Sequence, residues 1–120
     1  VLEEVINILF YIAEADGHVS SDEEDMIANI AYIFGLSQKQ YQSIKESRKS
    51  SDKLNPYIVL ESQPTDDLQI IRKKYIKLSK EHHPDLLMSK GVPVEVINES
   101  KNKMRAINAA WDQVQKLKSN

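Results

Sequence analysis

Residues 68–85 read Leu68-Gln69-Ile70-Ile71-Arg72-Lys73-Lys74-Tyr75-Ile76-Lys77-Leu78-Ser79-Lys80-Glu81-His82-His83-Pro84-Asp85. On a helical wheel turning about 100° per residue, Leu68, Ile71, Tyr75, Leu78 and His82 fall together on one side. Arg72, Lys73, Ile76, Lys77 and Lys80 fall on the other. The stretch is therefore an amphipathic helix with an apolar side and a basic side, and Ile76 is the one apolar residue in the basic strip. Pro84 ends it, because the residue before a proline is pushed out of helical geometry. The apolar side needs a cover, and the sequence supplies one downstream. Ile97, Ser100, Met104, Ile107, Trp111 and Val114 recur at helical spacing within a helix from about Pro93 to Lys116. This pattern predicts an antiparallel pair of helices joined by a polar loop from His83 to Val92.

Upstream of the pair, Pro56 suits the first position of a short helix ending near Leu60, and Pro64-Thr65 introduces the long helix with Thr65 as N-cap. The segment from Glu46 to Asn55 is rich in Ser and Lys without periodicity and reads as a linker. Three more helices precede it. The first runs from about Leu2 to Glu14, with Leu2, Val5, Ile6, Leu9 and Ile12 as its apolar face, and Asp16-Gly17 breaks it. The second opens on the capping-box spacing Ser20–Glu23, buries Met26, Ile27, Ile30, Ala31 and Phe34, and stops at Gly35. The third opens on Ser37–Gln40, with Tyr41 and Ile44 as its apolar contacts. No strand pattern occurs, so the fold class is all-α. Residues 1–50 and 51–120 form two helical units.

Composition agrees with that division. The 120 residues are 41% hydrophobic and 28% charged, with only three glycines and four prolines, which suits a folded chain of long helices. Residues 1–50 hold 4 basic and 9 acidic side chains, and residues 51–120 hold 12 basic and 9 acidic. A change of sign along a chain points to modules with different partners. The absence of cysteine excludes disulfides, cysteine-ligated zinc and a cysteine nucleophile, and is compatible with a reducing compartment. No apolar run reaches the roughly 20 residues of a membrane span. Ile6–Ala13 is short and flanked by Glu3, Glu4 and Glu14. The chain begins at Val1 rather than Met and is expected to be part of something longer.

Candidate chemistry concentrates at the end of the basic helix. His82 falls on the core side, where a satisfied histidine is the ordinary outcome. His83 falls at the edge of the basic strip, and Asp85 follows the turn at Pro84. A metal site made of His82, His83 and Asp85 would need ligands that converge, and these diverge. A His–Asp general base would need a nucleophile and a pocket, and neither is evident. A recognition tip for another protein needs only exposure and rigidity. A plain helix-to-loop turn needs nothing more. The basic strip lacks acidic i,i+4 partners, so it reads either as a solvated face or as a dock for an acidic surface. Nucleic acid is the competing partner, but the chain is acidic overall and offers no base-reading side chain in the strip beyond Gln69. In the acidic half, Asp16, Asp22, Glu23 and Glu24 cluster, but an EF-hand loop would need glycine where Ser21 stands. Helix capping accounts for Ser20, Asp22 and Glu23 without an ion. No cofactor motif is present and no metal ligand set is expected.

Tyr57 and Leu60 in a Tyr-x-x-Leu start, the basic helix from Ile71 to Leu78, His83-Pro84-Asp85 and Ile107-Asn108-Ala109-Ala110-Trp111 together resemble the J domain of the DnaJ family, over about Asp52–Leu117. Ala15-Asp16-Gly17-x-Val19-Ser20-x-x-Glu23 resembles a TerB-type helical domain. The order is similar to that of membrane-anchored DnaJ-like co-chaperones of Gram-negative bacteria, in which a TerB-like domain precedes a C-terminal J domain. The resemblance implies a co-chaperone that stimulates ATP hydrolysis by a DnaK-type heat-shock chaperone in its ATP-bound form and is not itself an enzyme. It implies that His83, Pro84 and Asp85 trigger the partner while Arg72, Lys73, Lys77 and Lys80 dock on an acidic surface. It also implies a cytoplasmic setting, with any anchor upstream. Tyr75, Leu78, Met104, Ile107 and Trp111 would be core. Glu61 stands where the family usually has glycine, so that turn is expected to be looser. Ile76 stands where a basic residue is common. No Gly/Phe-rich or Cys-rich module accompanies the pattern, so client binding by the family's usual machinery is not expected.

Overall fold

The two capping boxes form as the spacing predicts. Ser20 Oγ accepts from Glu23 N while Glu23 Oε1 accepts from Ser20 N, both at 3.1 Å. Ser37 and Gln40 repeat the exchange. They open helices α2 (Ser21–Ile33) and α3 (Gln38–Ser47), which follow α1 (Leu2–Ala13) and a 3-10 turn at Glu14–Asp16. The structure is a computed structural model that describes residues 2–119, the side chain of Asp16 excepted. Val1 and Asn120, the ends of the two expected units, and the Asp16 carboxylate of the acidic cluster lie outside the described residues. Gly35 ends the α2 hairpin at φ 96°, a backbone setting that costs glycine little. Helices α4 (Pro56–Val59), α5 (Leu68–Glu81), α6 (Pro84–Met88) and α7 (Val94–Leu117) complete the fold, with no strand among the described residues.

The apolar residues form two clusters. Ile6, Phe10, Ile27, Ala31, Tyr41 and Ile44 join α1, α2 and α3. Leu54, Val59, Leu60, Ile71, Leu78, Ala106, Ile107, Ala110 and Val114 join α4, α5 and α7. Helices α5 and α7 run antiparallel: Ser100 Oγ donates to the His82 carbonyl at one end, and the Tyr75 and Trp111 rings stack at 5.1 Å farther along.

Several expectations are corrected. Val5 and Ile12 are exposed, and α1 buries Phe10, Glu4 and Asn7 beside the expected Ile6. The two polar residues have partners: Arg48 Nη1 donates to Asn7 Oδ1 at 3.1 Å, and Glu4 faces His82. Met26 and Phe34 are exposed, leaving Ile27 and Ala31 as the buried pair of α2. The expected linker is packed structure. Glu46 and Ser47 are buried at the end of α3, Glu46 Oε2 accepts from Asn55 N at 2.7 Å, and Leu54 enters the core. Thr65 is not the cap of α5. Asp66 Oδ2 accepts from Gln63 N at 2.9 Å, which holds a turn there and delays the helix, so Asp67 is its N-cap. The loop expected from His83 to Val92 contains α6, which Leu87 anchors by burial.

Helix α7 is the centre of the molecule, packed by α1, α3, α4, α5 and α6. Its buried residues are Val96, Ser100, Lys103, Ala106, Ile107, Ala110 and Val114. Ile97, Met104 and Trp111, expected on the inner face, sit half-buried at its margin. The alanines at 106 and 110 let neighbouring helices approach on a side that a single stripe does not describe. Glu61 takes φ 54°, the left-handed setting glycine adopts without strain, and its carbonyl accepts from Lys74 Nζ at 2.7 Å. The turn is held rather than loosened.

Candidate functional site

The end of α5 is where the chain's exposed chemistry gathers. His83 leaves the helix with extended backbone and becomes the N-cap of α6, its Nδ1 accepting from Asp85 N at 3.2 Å. Pro84 occupies the first turn of α6, where its missing N–H costs nothing. The side chains of His83 and Asp85 are 54% and 84% exposed and approach to 3.7 Å. Asp85 thus belongs to the first turn of α6 rather than to a free loop. Its charge is favourable at that helix end. The tip is a rigid corner between two helices.

Arg72, Lys73, Lys77 and Lys80 are all exposed on α5, and Ile76 among them is half-buried. Arg72, Lys73 and Lys80 have no ion-pair partner among the described residues. Lys77 reaches Glu81 at 3.9 Å, an i,i+4 pair that the reading of an uncompensated strip omitted. An exposed pair of this kind is worth only about 0.3–0.5 kcal/mol, so the strip stays positive. Lys74 is turned away from it, toward Glu61 and Asp66. The four basic residues, His83 and Asp85 are thus all exposed along α5 and at its end, with Pro84 half-buried between the two tip side chains.

Behind the tip lies a group of residues of which sequence reasoning placed only His82, on the core side, and missed the charged partners around it. His82 is 2% exposed. Its Nε2 lies 3.1 Å from Glu3 Oε2 and its Nδ1 lies 3.5 Å from Glu4 Oε1. Burial alone would lower its pKa, but Glu3 and Glu4 outweigh burial and raise it to about 9. Burial would raise the Glu4 carboxyl, yet His82 holds it below the usual carboxylate value. On α7, Lys103 is buried and donates to Ser43 Oγ at 2.6 Å and Ser47 Oγ at 3.0 Å. Burial lowers its pKa to about 8 against the pull of Glu3, Glu61 and Glu4. Burial, then the Glu3 charge, raises Glu61. The signal for Lys103 was its place three residues from Ser100 and from Ala106. A charged residue on that side is unexpected until the serines of α3 are seen to face it.

Residues 1–46 match the family described as tellurite resistance protein TerB. The chain is 37% identical over 86 residues to co-chaperone protein DjlA of Vibrio parahaemolyticus, covering 70% of the chain and 30% of that protein. It is 32% identical over 117 residues to that of Photorhabdus laumondii, covering 92% and 43%, a match that extends through both halves. For that of Escherichia coli K12 the values are 26% over 136 residues, 94% and 50%. The chain thus spans from 30% to 50% of the length of these relatives. No solved structure gives a significant match. No helix among the described residues is long and apolar enough to cross a membrane.

Proposed function

We propose that the C-terminal hairpin is a J domain and that the chain acts as a co-chaperone, docking on the ATP-bound form of a DnaK-type heat-shock chaperone and accelerating its ATP hydrolysis. The observation that carries this reading is the His83-Pro84-Asp85 corner, exposed at His83 and Asp85, at the end of a helix with a largely unpaired basic face. Similarity to proteins named co-chaperone supports it.

On this reading the basic face steers encounter with an acidic surface and sets orientation, an effect that salt weakens. The tip then favours the hydrolysing conformation of the partner, which requires that it bind that conformation better than the alternative. The bond-breaking groups belong to the partner, and this chain acts by binding. The α1–α3 segment is the TerB-like part of the protein, and the hairpin works on the cytoplasmic side.

The test is single-turnover ATP hydrolysis by a DnaK-type ATPase mixed with the whole chain, wild type against His83→Gln. Wild type should accelerate hydrolysis and the variant should not, with an unchanged circular dichroism spectrum. His83 is exposed and its loss removes one capping contact, worth about 1 kcal/mol, so the fold should survive. Absence of acceleration by the wild-type chain rejects the proposal.

A further inference from the structure

Where α1 crosses the end of α5, Glu3, Glu81 and His82 each bring a ligand-type atom into one place, all within 4.8 Å of one another. His82 is 2% exposed. Its Nε2 stands 3.1 Å from Glu3 Oε2, yet neither ring nitrogen has a partner in hydrogen-bond geometry, and Glu3 Oε1 is also buried without one. Buried polar atoms are nearly always paired; here the imidazole faces Glu3 and Glu4 at ion-pair distance, but the approach is not aligned as a hydrogen bond. Two ligands of one tetrahedral ion, each bonded at about 2.0–2.2 Å, stand roughly 3.3 Å apart. The observed separation is close to that.

The other side of the ring supplies a second feature of such sites. Glu4 is as buried as His82, and its Oε1 faces Nδ1 at 3.5 Å. With an ion on Nε2, the Nδ1–H would be left to Glu4, and a carboxylate accepting that proton orients a metal-bound histidine and strengthens it as a ligand. Glu81 is 45% exposed, so the cluster meets solvent on its side.

We propose that Glu3, Glu81 and His82 form a binding site for a zinc-type divalent cation, with Glu4 as the carboxylate behind the imidazole and water as the fourth ligand. One imidazole with two carboxylates suits zinc or a similar transition ion better than calcium or magnesium, which favour oxygen ligands throughout. Such an ion joins the N-terminal helix to the residue immediately before His83 and stiffens the base of the tip. The competing arrangement is an imidazolium paired with Glu3 and Glu4 and no ion.

The whole chain, stripped with a chelator, is titrated with zinc chloride by calorimetry and with cobalt(II) by visible absorption. Wild type should bind one equivalent, and cobalt should give the intense bands of a four-coordinate site. His82→Gln should abolish both signals, and Glu81→Gln should weaken binding roughly tenfold or more. His83→Gln and His18→Gln should leave both unchanged. Glu81 is exposed, so its variant keeps the test valid if His82→Gln fails to fold. No saturable binding, or binding insensitive to both Glu81→Gln and His82→Gln, overturns the proposal in favour of the imidazolium pair. Loss of binding with His83→Gln or His18→Gln overturns it in favour of another locus. None of these readouts depends on a chaperone partner.

Discussion

In the metal-free protein two cations lie buried where the N-terminal segment meets the hairpin, and their surroundings push them in opposite directions. Burial lowers both, but for His82 the adjacent Glu3 and Glu4 win and raise the pKa to about 9. For Lys103 burial wins and the pKa falls to about 8. The folded chain therefore holds the His82 proton more tightly than the unfolded chain does. That contribution is complete below the unfolded value near 6.5 and is lost as pH rises through about 9. The folded chain holds the Lys103 proton less tightly. That penalty is complete below about 8 and is relieved as pH rises toward 10.5, so stability recovers there. Each swing is on the order of 3 kcal/mol. In metal-free protein, urea unfolding across this range should show a trough in stability between pH 8 and 9. His82→Gln should remove the falling limb, and Lys103→Met should remove the rising one. A wild-type profile without a trough would contradict the assignment. At this scale the sequence was least informative. His82 was placed on the core side correctly, but its carboxylates lie 78 or more positions away in the chain, and no local pattern pairs them.

At the scale of elements, α5 was legible because two periodic signals coincide on it. Its apolar side buries Ile71, Leu78 and His82, and its basic side is exposed as the wheel requires. Helix α7 was legible as a helix but not as a central one. A stripe drawn for one neighbour misses Val96, Lys103, Ala106 and Ala110, which face others. Helix α6 was not legible, since five residues that begin on a proline carry no period. Its existence rests on the His83 cap and on Leu87. The exposed side of α5 carries its own prediction. Lys73→Glu with Lys77→Glu exchanges two positive charges for two negative ones, neither in a buried contact. Partner affinity should fall at least tenfold at low ionic strength, and the difference from wild type should shrink as salt is added. Binding measured by fluorescence anisotropy at two salt concentrations checks this. Equal affinities at low salt would make the strip a solvated face and leave docking to the tip alone.

For the whole molecule, the division into two helical units describes the apolar clusters better than the contact between them. The expected linker is instead a polar seam. Lys103 reaches Ser43 and Ser47, and Ser43 Oγ in turn donates to the Val59 carbonyl. Arg105 bonds Ser51 Oγ at 2.6 Å and the Ser47 carbonyl at 3.0 Å, and Gln113 Nε2 donates to the Ser51 carbonyl. Ser-rich composition suggested exposure because hydroxyls favour water, but small hydroxyls also pack closely wherever a donor or acceptor meets them. A seam in which Lys103, Arg105 and the Val59 carbonyl are hydrogen-bonded to α3 across the boundary should make the halves unfold together, since opening it gives up these bonds and the packing around them in one step. Ile44 belongs to the N-terminal cluster and is fully buried beside Ser43. Ile44→Ala should cost about 2–5 kcal/mol. Trp111 is the only tryptophan and stacks on Tyr75 inside the hairpin, so its fluorescence reports the other half alone. In urea, the variant's Trp111 transition should move to lower denaturant together with the far-ultraviolet signal of all the helices. If the Trp111 midpoint stays at its wild-type position while helical signal is lost earlier, the hairpin folds without the N-terminal segment. The seam is then contact without coupling.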